Sequence, residues 1–381
     1  MIRSSWLGIG RRLSTLARAN AFYTKTTLNP QQVSLTPPSQ LSPKSLIVLS
    51  TPTQLNEVIG RSIDLHQEHD LQVVVAGVDS VVPHSHRNGI SELWLDEPIK
   101  IEESTQLEEK DRKHEHPKQS DGIHIVTAKE NWKTIDSNFD ITLNLKNKVR
   151  LSLANTVFQT HHLVTLFYFQ PSYIQESHNN SGQTLSDLAI SLPESTINFG
   201  KAQSFDKWTP LYDSESEPLL ILKCTGNLVK EINRKPAAKF LENNDKLMNI
   251  GSKDTQVFVK LYKPNQELPQ KFEVIAGGGG WGAKANMLAI SPEAKLSIGD
   301  RIEFFMLTPE DRFNPNPELD TTLQNGFVFE CSYENVTYNE TFGNDGETIE
   351  MQNLFGCGSE KGFKLNNINF ASAGERLLID T

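Results

Sequence analysis

The chain has 381 residues, with 37 Lys and Arg against 47 Asp and Glu, a formal net charge of −10 and a mean hydropathy of −0.42. This acidic balance without a basic run argues against a binder of nucleic-acid backbones, whose non-specific affinity comes from clustered Lys and Arg. No apolar segment reaches the roughly 18 residues of a membrane-crossing helix, and three cysteines without CxxC spacing imply neither a disulfide framework nor a zinc site.

Asp and Glu are absent from Met1 to Asn56, where Arg3, Arg11, Arg12, Arg18, Lys25 and Lys44 supply positive charge among Ser and Thr. Such a composition marks a transit peptide. Helical spacing puts Ile2, Trp6, Ile9, Leu13 and Leu16 on one side and Arg3, Arg11 and Arg18 on the other. The apolar run "WLGIG" is cut off by Arg11 and Arg12, too early for a secretory signal. The expectation is a mitochondrial transit peptide over 1–27, a disordered tether over 28–44 and residence in the mitochondrial matrix. The competing reading is a basic surface helix of the folded protein. In that compartment the sequons at Asn179, Asn335 and Asn339 carry little meaning.

The predicted body begins at Ser45, where "SLIVLS" suits a buried strand. A helix follows, with Thr53 as its cap and Leu55, Val58, Ile59, Ile63 and Leu65 at helical spacing. "LQVVVAGV" from Leu71 then closes a strand-helix-strand unit, which implies parallel neighbours. The segment 101–121 is too charged to pack and reads as a solvated loop. Beyond it "FDITLNLK", "HHLVTLFYF" and "LAISLP" are strand-like, and a boundary falls between Asn198 and Glu217, where Gly200, Pro210 and Pro218 punctuate a polar stretch. The second half supplies "PLLILKC", "NLVKEIN", a helix from Pro236 to about Asn243, and a series of strands from "TQVFVKLYK" to "KGFKLNNINF". The predicted fold class is α+β, a strand-rich two-part body with few helices, divided into 45–200 and 215–381.

The most unusual segment is "VIAGGGGWGAK", from Val274 to Lys284. Consecutive glycines free the backbone for positive φ and expose N–H groups. A phosphate loop requires GxxxxGK followed by Ser or Thr and a helix, whereas Lys284 is followed by Ala285 and a strand-like run. A tight turn plugged by Trp281 and a pocket lined by Gly277, Gly278, Gly279, Gly280, Trp281, Gly282 and Lys284 therefore remain the open readings. His114 with His116, His84 with His86, and the pair His161 and His162 are read as solvated or satisfied histidines, so no metal is expected. Cys331 and Cys357 lack a visible His partner or cation to lower a thiol pKa. They are read as buried and inert.

The order of these segments resembles the FIST family, named for F-box and intracellular signal transduction proteins. "SLIVLSTPTQLNEVIGRSIDLHQEHDLQVVVAG" is similar to the opening of that family's N-terminal part, and "LVKEINRKPAAKFLENN", "SIGDRIEFFMLTPED" and "NGFVFECSYEN" to its C-terminal part. Coverage runs from about Ser45 to Ile379, in the manner of a mitochondrial, fungal-like branch without an F-box. The chain departs from the family's pattern at "VDSVVPHS" and after Cys331, where Ser332, Tyr333 and Glu334 stand without the family's Arg. The resemblance implies a sensory or ligand-binding module for small molecules such as amino acids, with Cys331 as the one ligand residue carried over.

Together these readings give a non-enzymatic matrix protein that binds a small, perhaps anionic, metabolite at the glycine loop, with no cofactor named. The alternatives are a protein-interaction or assembly factor in mitochondrial gene expression or respiration, docking through 101–121, and a Cys-dependent enzyme.

Overall fold

A computed structural model describes residues 21–83, 85–106, 137–155, 165–174, 182–194, 196–213, 217–250, 254–264, 266–277, 285–309, 326–332 and 346–381. Strands dominate, arranged in three sheets. No helix among the described residues is long and apolar enough to cross a membrane.

The first sheet is organised around Ser45–Ser50 and Gln72–Gly77, which pair in parallel and are joined by the helix Pro52–His69. Alternation divides the side chains between two layers. Leu46, Val48, Val73 and Val75 meet Leu55, Val58, Ile59 and Leu65 of the helix, while Ile47, Leu49, Val74 and Ala76 face the second sheet. Each fully buried aliphatic side chain contributes about 1.5–3 kcal/mol, which explains why both faces read as continuous apolar runs. The helix starts two residues earlier than expected. Thr51 is its N-cap and Pro52 fills the first turn, where a missing N–H is harmless. It ends at Asp70, in the left-handed conformation with φ 50°.

The N-terminal boundary is corrected. Phe22–Leu28 is a strand of the first sheet, antiparallel to Gly89–Leu95 on one side and Ile349–Gln352 on the other. Lys25 lies 3.2 Å from the buried carboxylate of Glu92, which also accepts a 2.9 Å bond from Trp94 Nε1. Its charge therefore serves the core rather than a targeting helix. Val33 and Leu35 are buried against the helix layer, so 28–44 is packed chain and not a disordered tether. Residues 1–20 lie outside the described residues, and a cleavage after Thr27 would remove nearly all of a strand that is paired on both sides.

The second sheet orders Ala202–Phe205, Arg376–Ile379, Gly326–Cys331, Leu354–Ser359 and Ser80–Val81. Phe327, Phe329, Phe355 and Leu377 fill the layer between it and the first sheet. Phe363–Leu365 and Ile368–Phe370 extend the first sheet beyond Lys148–Ser152. The third sheet spans Thr209–Pro210 to Arg301–Leu307. Its strands Arg301–Leu307, Leu219–Thr225, Leu228–Ile232, Leu288–Ile290, Gln270–Gly277 and Gln256–Tyr262 pair successively, and the last returns to the first. The result is a closed antiparallel ring filled by Ile221, Val229, Val259, Leu261, Leu288, Ile302 and Phe304. Closure removes the sheet edges.

The division into 45–200 and 215–381 is thereby overturned. The ring is inserted between two strands of the second sheet, and the C-terminal segment completes the sandwich begun by the N-terminal one. Two further differences are local. Lys100–Gln106, expected as part of a charged loop, is an exposed strand antiparallel to Gln183–Ser191, because its carboxylates point to water while its backbone pairs. The helix expected over 236–243 is only Lys239–Glu242, followed by a second short helix Asp245–Met248. Lys235–Pro236 instead pairs with Leu228–Ile232.

Candidate functional site

Gly277 ends its strand opposite Leu288. A Cβ there would lie 2.2 Å from Leu288 Cδ2, so the glycine permits a close approach of the two strands. Gly277 borders a cleft of about 900 Å³, within the size range of small-molecule sites. Leu241, Leu247, Val257, Val274 and Ile275 form its apolar wall, and Glu242, Asp254, Glu273 and Thr255 supply polar groups. The Thr255 hydroxyl is buried without a hydrogen-bond partner among the described residues. Among the described residues this lining carries three carboxylates and no Lys or Arg, which does not favour the anionic ligand expected from the glycine run. Gly278, Gly279, Gly280, Trp281, Gly282 and Lys284 lie outside the described residues, as do His84, His114, His116, His161 and His162. No group of metal-ligating side chains occurs among those described.

Cys331 does not line this cleft. It ends the central strand of the second sheet at 3 % exposure, donating its N–H to Glu375 O at 2.8 Å and accepting from Gly374 N at 3.1 Å. Burial, reinforced by the Glu375 carboxylate, pushes its thiol pKa well up. Burial does the same to Cys357, reinforced by Asp79. A nucleophilic cysteine needs the thiolate, so neither sulfur is poised for catalysis.

The residues that sequence reasoning missed are charged and lie where the ring meets the sandwich. Lys271 Nζ, 3 % exposed, lies 2.8 Å from Glu375 Oε1 and 3.2 Å from Asp206, which Lys260 also approaches at 2.8 Å. Glu375 Oε2 accepts from the N–H groups of Ala371 and Ser372. Trp208 stacks on Phe258 at 4.3 Å and donates to Ser372 Oγ at 2.8 Å. Lys271 Nζ sits 5.2 Å from the Trp208 ring centre and 4.8 Å from that of Phe370. Burial opposes the charge on Asp206, but Lys271 and Lys260 outweigh it and hold the carboxyl low. For Lys271 burial is likewise outweighed, here by Glu375 and Asp206, so its pKa is raised. A 180 Å³ cavity lies beside this cluster. Each partner comes from a different part of the chain, so no local spacing announces it.

A second titratable group, partly buried, sits beside the second sheet. Asp79 accepts from Glu360 N at 2.8 Å and Ser359 Oγ at 3.4 Å, and burial raises its pKa to about 6. The folded state thus holds the proton more tightly than an unfolded carboxyl with its usual value of 3.8. Stability is expected to fall as pH rises through that window, by about 3 kcal/mol in full. Chemical denaturation of Asp79→Asn and the parent at pH 4 and 7.5 checks this. The variant should gain on the parent with rising pH, and a constant gap would exclude Asp79.

The fold and cleft define a class in structural terms, a two-sheet sandwich carrying an inserted strand ring with a ligand-sized cleft at one strand end. Compared with family models, curated proteins and solved structures, the chain has no match in any of the three.

Proposed function

We propose that this chain is a non-enzymatic small-metabolite-binding protein of the mitochondrial matrix, with an α+β body of the FIST type, whose ligand carries a protonated amine. The cleft beside Gly277 carries the reading, because three carboxylates and an apolar wall line it together. An amine is attracted by this carboxylate lining while the rest of the ligand covers Val257, Val274 and Ile275, and the pairing of charge with apolar contact is what orients ligands in such sites. Amino acids, the class implied by the family resemblance, have this chemistry. The acid-free N-terminus supports the matrix assignment.

Thermal unfolding of the full chain with amino acids, polyamines and dicarboxylates tests the reading. Amine-bearing compounds should raise the midpoint as their concentration passes the dissociation constant, and the pair Glu273→Gln with Asp254→Asn should abolish the rise. Stabilisation by dicarboxylates alone, or by none of these compounds, would refute it.

A further inference from the structure

A second concavity has the opposite charge. It encloses about 340 Å³ where Asn138–Thr142, Lys148–Ser152 and the hairpin of Phe363–Leu365 with Ile368–Phe370 lie side by side. Arg150, Lys361 and Lys364 line it together with Asn138, Ser152 and Asn369, and among the described residues no carboxylate does. In a chain of net charge −10, such a lining is not the average surface.

The register explains how the cations are brought together. Asp140, Arg150, Lys364 and Asn369 are successive cross-strand partners on four strands, so their side chains share one face. Arg150 and Lys364 are therefore like charges directly opposite, an arrangement that destabilises a strand pair. Asp140 relieves part of this repulsion. It accepts Arg150 Nε at 2.6 Å and Nη2 at 2.8 Å and is also bridged by Lys148 at 2.8 Å. Two of the five guanidinium donors are used in this way, and the Nη1 donors are not. Asp187 and Glu103 also act on Arg150 through space, and Asp187 is itself held by Asn138 Nδ2 at 3.1 Å and Ser186 Oγ at 3.0 Å. Gly362, with φ +77°, makes the turn between Lys361 and Lys364, and a Cβ there would lie 2.1 Å from the Phe370 carbonyl oxygen. Both lysines are thus mounted on a tightly packed hairpin.

We propose that this pocket binds a phosphate group, either inorganic phosphate or the phosphate of a small metabolite. A dianion placed between Arg150 and Lys364 removes their mutual repulsion, and the Asn369 amide and Ser152 hydroxyl line the same pocket as donors for its other oxygens. Charge-assisted bonds of this kind are the strong ones. The site is separate from the Gly277 cleft and does not rest on the amine reading.

Titration calorimetry of the full chain at constant ionic strength, with inorganic phosphate, glycerol phosphate and sodium chloride as probes, tests the proposal. Phosphate or glycerol phosphate should bind and chloride should not. Tighter binding of glycerol phosphate would identify an esterified ligand, and equal or tighter binding of inorganic phosphate the free ion. Lys364→Gln, on an exposed strand position, should weaken binding about tenfold, the loss expected for one hydrogen bond to a charged group, and Lys364→Glu should abolish it, with unfolding midpoints near that of the parent. Undiminished phosphate binding in both variants, or no binding of either phosphate by the parent, would overturn the proposal.

Discussion

Lys271→Ala is expected to destabilise the protein by about 3–5 kcal/mol, the usual consequence of removing one partner from a buried ion pair. The loss exceeds the value of the contact itself, because Glu375 at 1 % exposure and Asp206 at 8 % side-chain exposure are left with less compensating charge. Lys260 remains 2.8 Å from Asp206, so the deficit falls mainly on Glu375. Glu375→Gln should cost less, since its amide oxygen still accepts from Ala371 and Ser372 and Lys271 retains Asp206. Lys271→Met combined with Glu375→Leu should recover part of the loss, because apolar replacement of both partners avoids stranding a charge. Urea unfolding of the four proteins measures these differences. A Lys271→Ala variant within about 1 kcal/mol of the parent would show the pair to be exposed and screened.

Gly356→Ala is the second large effect, expected to cost more than about 4 kcal/mol or to prevent folding. Gly356 is paired with Val328 in the parallel ladder between Gly326–Cys331 and Leu354–Ser359. A Cβ there would lie 1.7 Å from the Val328 carbonyl oxygen, at a φ of +154°, and the contacted atom is backbone at the centre of the sandwich. The strands must separate to admit it, which also strains the 3.0 Å bond from Gly356 N to Ser91 Oγ. Gly60 is the internal control. It lies in the helix with nothing within 4 Å of an added Cβ, so Gly60→Ala should be stabilising by up to about 1 kcal/mol. Thermal and urea unfolding distinguish the two sites, and equal stability of Gly356→Ala and the parent would contradict the packing described.

Local periodicity made the strand-helix-strand segment legible, because Leu55, Val58, Ile59 and Leu65 line a single helix face that is buried in the structure. Gly89–Leu95 was not legible. Its Ser91 and Glu92 read as polar, yet both are buried, satisfied by Thr26 and Lys25 from a distant strand. The candidate site divides in the same way. Gly277 stands out by composition, while two of the carboxylates that line its cleft, Glu242 and Asp254, come from other segments.

By itself the sequence determined where many apolar runs form strands and where the amphipathic helix Pro52–His69 lies, since both depend on spacings within a few residues. It also placed no His next to Cys331 or Cys357 along the chain. Only the tertiary structure decided that Phe22–Leu28 belongs to the folded body, that a ring of strands interrupts the sandwich, and that Lys271 meets Glu375 while Arg150 faces Lys364. These pairings join residues up to hundreds of positions apart. Burial and the electrostatics it amplifies act through space rather than along the chain, so they become visible only when the sheets are assembled.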